Sequence, residues 1–213
     1  MSVDDKPAVR RVAVVLFEDF TVLDAYGPIQ AFGACRETRS DGTSSRLFQI
    51  FTLGIRAGMV RSGQGPGTQV DHTLADSPSW DLLLLPGGSG TRRLVDDKAF
   101  IAWLKQVSER SPLIATVCTG SALLARTGLL DGRRATTNKM AWDWVVKQGP
   151  RVNWQRRARW VDDGNIVSSS GVSAGTDMAL ALVGRLNGRD TASAAARHME
   201  HIWNQDATND PFA

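Results

Sequence analysis

The sequence predicts an α/β fold on a mainly parallel sheet, and three observations carry that expectation. The composition, 42% hydrophobic and 22% charged over 213 residues, is that of an ordinary globular chain able to bury a sizeable core. Short continuous apolar runs recur along it, and runs without polar alternation suit strands buried on both faces. Helical patterns lie between these runs, and strands that alternate with helices pair in parallel.

In chain order, Val12–Leu16 is the first expected strand and Gly27–Arg36 the helix after it, with Gly27-Pro28 read as a break that closes the intervening loop. Leu47–Leu53, Leu82–Leu85 and Leu113–Val117 supply three further strands, with helices at Phe100–Val107 and Ser121–Arg126 on either side of the last. Arg159–Val161 and Ile166–Ser168 flank Asp163-Gly164-Asn165, a hairpin signal. Asp177–Leu186 and Thr191–Trp203 read as closing helices. No Pro-rich, Ser-rich or like-charged stretch divides the middle, so one domain over residues 1–213 is expected.

Charge and termini narrow the function classes. The formal charge of +3 comes from scattered arginines, the densest group being Arg151, Arg156, Arg157 and Arg159. Such a group reads as a solvated strand edge or hairpin face, so no nucleic-acid partner is expected. The polar start, Met1 to Pro7, lacks the basic-then-apolar order of a signal peptide, and no apolar run approaches the roughly 20 residues of a membrane span. These features place the chain in the cytoplasm, with no membrane partner and with Cys35 and Cys118 as free thiols.

Open parallel sheets bind ligands outside the carboxyl ends of their strands. Three such ends carry chemistry here: Phe17 to Pro28 with Glu18, Asp19 and Asp24; Pro86-Gly87-Gly88-Ser89-Gly90; and Cys118-Thr119-Gly120-Ser121. A cysteine squeezed between a buried strand and a helix, with small neighbours behind it, takes the outward geometry of a nucleophile elbow. The helix after Cys118 is expected to aim its N–H groups at the sulfur and favour thiolate. Cys35, in the helical run Ala31-Phe32-Gly33-Ala34-Cys35, is expected to be core.

Pro86-Gly87-Gly88 offers backbone N–H groups to a developing anion, whereas Gly87, Gly88 and Gly90 have the wrong spacing for a dinucleotide fingerprint, so no cofactor is expected. The three histidines are His72, His198 and His201. None follows the elbow closely, and His198 and His201 near Glu200 read as surface residues, not a metal site. Acid–base duty then falls to a carboxylate, with Asp24 first and Glu18 and Asp19 as competitors.

At this point a resemblance is carried by specific residues. Ile114-Ala115-Thr116-Val117-Cys118-Thr119-Gly120-Ser121, followed by Gly128-Leu129-Leu130-Asp131-Gly132-Arg133-Arg134-Ala135-Thr136-Thr137, resembles the ThiJ/PfpI superfamily of class I glutamine-amidotransferase-like proteins. Leu23-Asp24 with Gly27-Pro28, Leu85-Pro86-Gly87-Gly88, and Gly171 to Asp177 fall in the order of its isocyanide hydratase branch, so the likeness spans about Val12 to Trp203. It implies a flavodoxin-like three-layer sandwich and a homodimer, with Cys118 as nucleophile, Asp24 as acid and base, and Thr119 beside the thiolate. Gly87, Gly88 and Gly120 would line the substrate site, with Gly88 and Thr119 lending backbone N–H groups. One position departs: Asn138 follows Ala135-Thr136-Thr137 where relatives commonly have histidine, which bears on substrate choice and counts against the protease and amidotransferase members.

The activity implied is hydration of an isocyanide to an N-substituted formamide. Two other classes share the cysteine domain: glyoxalase or deglycase enzymes acting on reactive aldehydes, and the ligand-sensing halves of AraC-type regulators, whose DNA-reading module has no counterpart before Asp210-Pro211-Phe212-Ala213. A redox sensor is a third, because an exposed cysteine of low pKa is oxidised first.

Overall fold

The computed structural model describes residues 9–38 and 41–213, so the polar start from Met1 to Pro7 lies outside the described residues. The elements run β1 (Arg10–Val15), α1 (Val22–Gly33), β2 (Arg36–Thr38), β3 (Ser44–Arg46), β4 (Phe48–Gly54), β5 (Gly58–Arg61), β6 (Gly67–Val70), β7 (His72–Thr73) and β8 (Leu82–Leu85). They continue with α2 (Thr91–Leu94), α3 (Lys98–Glu109), β9 (Leu113–Val117), α4 (Gly120–Arg126), β10 (Arg134–Ala135) and α5 (Trp142–Gln148). The last are β11 (Asn153–Trp154), β12 (Trp160–Asp162), β13 (Ile166–Ser169), α6 (Ser173–Asn187) and α7 (Arg189–His198).

Seven strands form the central sheet in the order β12-β13-β9-β8-β1-β4-β7, parallel except for the β12–β13 hairpin at the expected Asp163-Gly164-Asn165 turn. Helices α1, α6 and α7 pack together on one side, and α3, α4 and α5 form the other layer. Leu82 to Leu85 are all buried because β8 lies between β1 and β9 with a helical layer on each face. An unbroken apolar run is what such a strand requires. Helix α3 begins where Asp97 accepts the Ala99 and Phe100 N–H groups, both at 3.0 Å, a capping pattern that sets its register.

The first helix corrects the expectation: α1 begins at Val22, not Gly27, and Pro28 lies inside it. Proline lacks only its own N–H, so the cost is one intrahelical bond to the Asp24 carbonyl, and burial of Ala25, Ala31 and Phe32 sustains the helix around it. Asp24 thereby stands on the first turn of a helix and not on a loop. The closing helix ends at His198, where Glu200 takes a left-handed φ of 51° that breaks the pattern read as reaching Trp203. Three short two-stranded pairings, β2–β3, β5–β6 and β10–β11, lie outside the sheet. Among the described residues no helix is long and apolar enough to cross a membrane.

The chain runs from β1 to β4 on one side of β1, then to β8 on the other. Strand order therefore reverses between β1 and β8, where the carboxyl ends diverge and leave a crevice. Asp24 arrives there from β1, Gly87 from β8 and Cys118 from β9.

Candidate active site

Cys118 follows β9 directly and has a φ of 58°, a conformation that an L side chain adopts only when its surroundings fix it. Three bonds do so. Its N–H donates to the Ser170 carbonyl at 2.9 Å, and its own carbonyl accepts the Thr137 hydroxyl at 2.9 Å and the Ser121 hydroxyl at 3.1 Å. Gly120 can have no side chain, because a Cβ there would stand 2.7 Å from the Pro86 carbonyl oxygen. The elbow read from the sequence is thus built as a strand–turn–helix with its backbone pinned by three segments.

Asp24 is fully buried. Its Oδ2 accepts the Gly87 N–H at 2.9 Å, while Oδ1 has no hydrogen-bond partner among the described residues. Burial drives its pKa from 3.8 up to about 7, against smaller opposing effects from the Gly87 N–H and the Cys118 side chain. An orphan carboxyl oxygen with a proton affinity near neutrality suits a group that must both give and take a proton.

The sulfur behaves differently from the sequence expectation. Burial, followed by the negative charge of Asp24, pushes the Cys118 thiol up to about 12, outweighing the Thr119 N–H and the Asn138 side chain, which favour the thiolate. Helix α4, with seven residues, does not make a standing thiolate. Two negative charges in one buried crevice repel, so a double ionisation is disfavoured, and ionisation of the sulfur is eased when Asp24 takes up a proton.

The glycine turn also has a different job from the one expected. The Gly87 N–H is engaged by Asp24, and the Gly88 N–H donates to Thr119 Oγ1 at 3.0 Å, so neither is free for substrate. A Cβ on Gly87 would fall 2.5 Å from the Thr119 nitrogen and 2.9 Å from Asp24 Oδ2, which is why this position has none. Thr119 Oγ1 also lies 3.1 Å from the Thr91 hydroxyl, so a small polar cluster holds the residue after the nucleophile.

The competitors of Asp24 are occupied elsewhere. Glu18 accepts the Arg61 N–H at 3.0 Å, and Asp19 pairs with Arg93 at 3.1 Å. The histidines are also distributed: His72 stacks edge-on against Phe51, His198 is exposed at the end of α7 as expected, and His201 Nε2 is 2.8 Å from Asp177 Oδ1. His201 is therefore half-buried in an ionic junction and not the surface residue expected. The same junction corrects the arginine group: Arg159 is buried, and its Nε and Nη2 contact Asp177 Oδ2 at 2.9 and 2.6 Å. Cys35 is core, with its thiol donating to the Ala31 carbonyl at 3.1 Å.

Asn138, which departs from the residue common in relatives, also touches the sulfur. Its Oδ1 accepts the Ala141 N–H at 2.9 Å, which leaves the amide nitrogen to donate to the Cys118 sulfur. Ser170, whose carbonyl holds the Cys118 N–H, bore no signal in the sequence.

Comparison with known proteins identifies the family. A DJ-1/PfpI family model matches residues 10–185. The chain is 28% identical over 191 residues to the isonitrile hydratase of Pseudomonas putida, covering 90% of this chain and 78% of that one. It is 27% identical to the HTH-type transcriptional regulator GbdR of Pseudomonas aeruginosa over 86% of this chain, which spans only 48% of the regulator. The crystal structure of a ThiJ/PfpI family protein from Pseudomonas syringae superposes with a TM-score of 0.79 at 27% identity, covering 92% of this chain and 76% of that one. With its elbow cysteine, its buried carboxyl and its parallel sheet, the chain belongs to the DJ-1/PfpI family.

Proposed function

We propose that this protein is an isocyanide hydratase, with Cys118 as nucleophile and Asp24 as the one group that carries protons. The observation that carries this reading is the isolated pair: a pinned cysteine facing a fully buried carboxyl with an unpartnered Oδ1 among the described residues, while His72 packs on Phe51, His198 is exposed on the last helix and His201 bonds Asp177. Cysteine amidases and proteases need an imidazole to protonate an amine leaving group. Isocyanide hydration expels no amine, so a single carboxyl suffices.

The reaction runs as follows. Ionised Asp24 takes the Cys118 proton, and the sulfur adds to the terminal carbon of the isocyanide. Asp24 returns that proton to the same carbon, giving a thioimidate on Cys118. Asp24 then removes a proton from water as its oxygen adds to this carbon, and passes the proton to nitrogen. Collapse of the adduct breaks the carbon–sulfur bond, the sulfur recovers the remaining hydroxyl proton, and the N-substituted formamide leaves. The Thr119 N–H and the Asn138 amide stabilise the sulfur anion each time it forms. Gly87 and Gly88 act indirectly, by holding Asp24 and Thr119 in place.

The reading takes residues 1–213 as one domain working as a cytoplasmic homodimer, which light scattering on purified protein checks. The deciding assay is conversion of an aryl isocyanide to its formamide by wild type and Cys118→Ala, with methylglyoxal as control. Formamide from wild type alone supports the hydratase. Lactate without formamide transfers the pair to aldehyde chemistry, and neither product leaves a sensing role.

A further inference from the structure

A cavity of about 280 Å³ is lined in part by Asn138, Met140, Ser170, Val172, Asp210 and Phe212, one residue removed from Cys118. It shares Asn138 and Ser170 with the anchoring of Cys118. Its rim is apolar: Met140 is 99% exposed and Phe212 74% exposed, unusual for large apolar side chains without a covering partner. One polar group in its wall is unsatisfied. Asp210 is buried, its Oδ1 accepts the Phe212 N–H at 2.9 Å, and its Oδ2 has no hydrogen-bond partner among the described residues.

The nearby cation does not satisfy it. Lys139 is electrostatically coupled to Asp210, yet its three ammonium protons are directed at Thr136 Oγ1 (2.7 Å), the Ala158 carbonyl (2.8 Å) and the Thr137 carbonyl (3.3 Å). The other cation of the wall, Arg159, is committed to Asp177. Asp210 thus has its charge balanced at a distance but lacks a donor. A second cation here would be repelled by Lys139, whereas a neutral donor would meet the unfilled acceptor without that penalty.

We propose that this cavity receives the substituent of the molecule attacked by Cys118, and that it selects a short apolar chain ending in a neutral hydrogen-bond donor, a hydroxyl or an amide N–H, which Asp210 Oδ2 accepts. The chain lies along Met140, Val172 and Phe212, and its reactive end meets the sulfur past Asn138. The inference names the substrate class of the hydratase site and so rests on that reading, but its test does not use isocyanide turnover.

The test measures alkylation of Cys118 by matched chloroacetamides, in which the sulfur forms a bond to carbon and chloride leaves. One series carries N-alkyl chains of three to six carbons. The second carries the same chains with a terminal hydroxyl, and the third a terminal ammonium. A hydrogen bond to a charged acceptor is worth about 1.5–3 kcal/mol, so at the best chain length the hydroxyl reagent is expected to label wild type roughly tenfold or more faster than its methyl-ended partner. The ammonium reagent gains less. In Asp210→Ala the hydroxyl preference disappears; in Asp210→Asn, which retains the Phe212 cap and a neutral acceptor, it shrinks to a few-fold, and thermal melts of both variants confirm folding. Equal rates for hydroxyl and methyl ends at every length, a preference for ammonium, or a preference that survives in folded Asp210→Ala overturns the proposal. Absence of formamide from wild type with the hydroxyl preference intact overturns only the hydratase reading.

Discussion

Replacing Asp24 by Asn is expected to abolish turnover and, at alkaline pH, to make the protein more stable. Burial raises the Asp24 carboxyl from 3.8 to about 7, so the folded state holds a proton that the unfolded chain has released. Between about pH 4 and pH 7 the folded state binds more protons than the unfolded one, and stability falls as pH rises. Below that window the group contributes nothing adverse; above it the full penalty of a buried charge stands, a ceiling of about 4 kcal/mol for a displacement of this size. Asparagine has no charge to bury, its Oδ1 still accepts the Gly87 N–H, and its NH₂ faces the crevice where the orphan Oδ1 was. Asp24→Asn should therefore approach wild type only near pH 4, exceed it modestly at pH 5 and exceed it most at pH 8, by up to roughly 10 °C in melting temperature for a chain of this length. Melts or urea titrations across pH 5–8, run beside the isocyanide assay, measure both halves. A stability difference independent of pH, or full turnover in the variant, would refute the reasoning.

Other outcomes follow from the same geometry. The rate kcat/KM should rise with pH through about 7 and then level, because a doubly protonated Asp24–Cys118 pair has no base to release the thiol; a flat profile between pH 5 and 8 excludes Asp24 from proton transfer. Gly87→Ala places a methyl 2.5 Å from the Thr119 nitrogen and should cut turnover about a hundredfold, since displacing one catalytic group by 1 Å has that effect, and kcat measured on folded variant protein checks it. Arg159→Met leaves Asp177 without its guanidinium and should cost about 3–5 kcal/mol in urea titrations, whereas Arg159→Met with Asp177→Leu should recover much of the loss.

The parallel strands were legible because β8 and β9 are short continuous apolar runs bounded by polar or turn residues, and a central parallel strand buries both faces of such a run. Cys118 was legible for a related reason: the residue at the end of β9 stands against small residues that the close approach of α4 to Pro86 demands. The start of α1 was not, because Gly27-Pro28 is locally a helix breaker, and only packing of the buried Ala25, Ala31 and Phe32 shows that the helix continues through it. Nor was the ionic junction, since Arg159 belongs to an arginine-rich stretch and its partner Asp177 lies 18 residues away on another element. The thiol was misjudged because a helix start favours thiolate by local sequence alone, whereas desolvation and the Asp24 charge are products of the tertiary structure.

The anchoring of Cys118 has a consequence for the life of the chain before it is folded. The contacts that aim and tune its sulfur come from Asp24, Thr137, Asn138 and Ser170 as well as from its own turn, so they bring together segments from nearly every part of the sequence. The contact with Ser170, which directly follows β13, cannot form until that strand has docked beside β9. The elbow is therefore fully anchored only when β13 is in place, and a molecule with that strand undocked carries a nucleophile without its Ser170 anchor. Loosening this end of the sheet should expose the thiol and relieve the burial that raises it, so labelling of Cys118 by a general thiol reagent should quicken as turnover is lost.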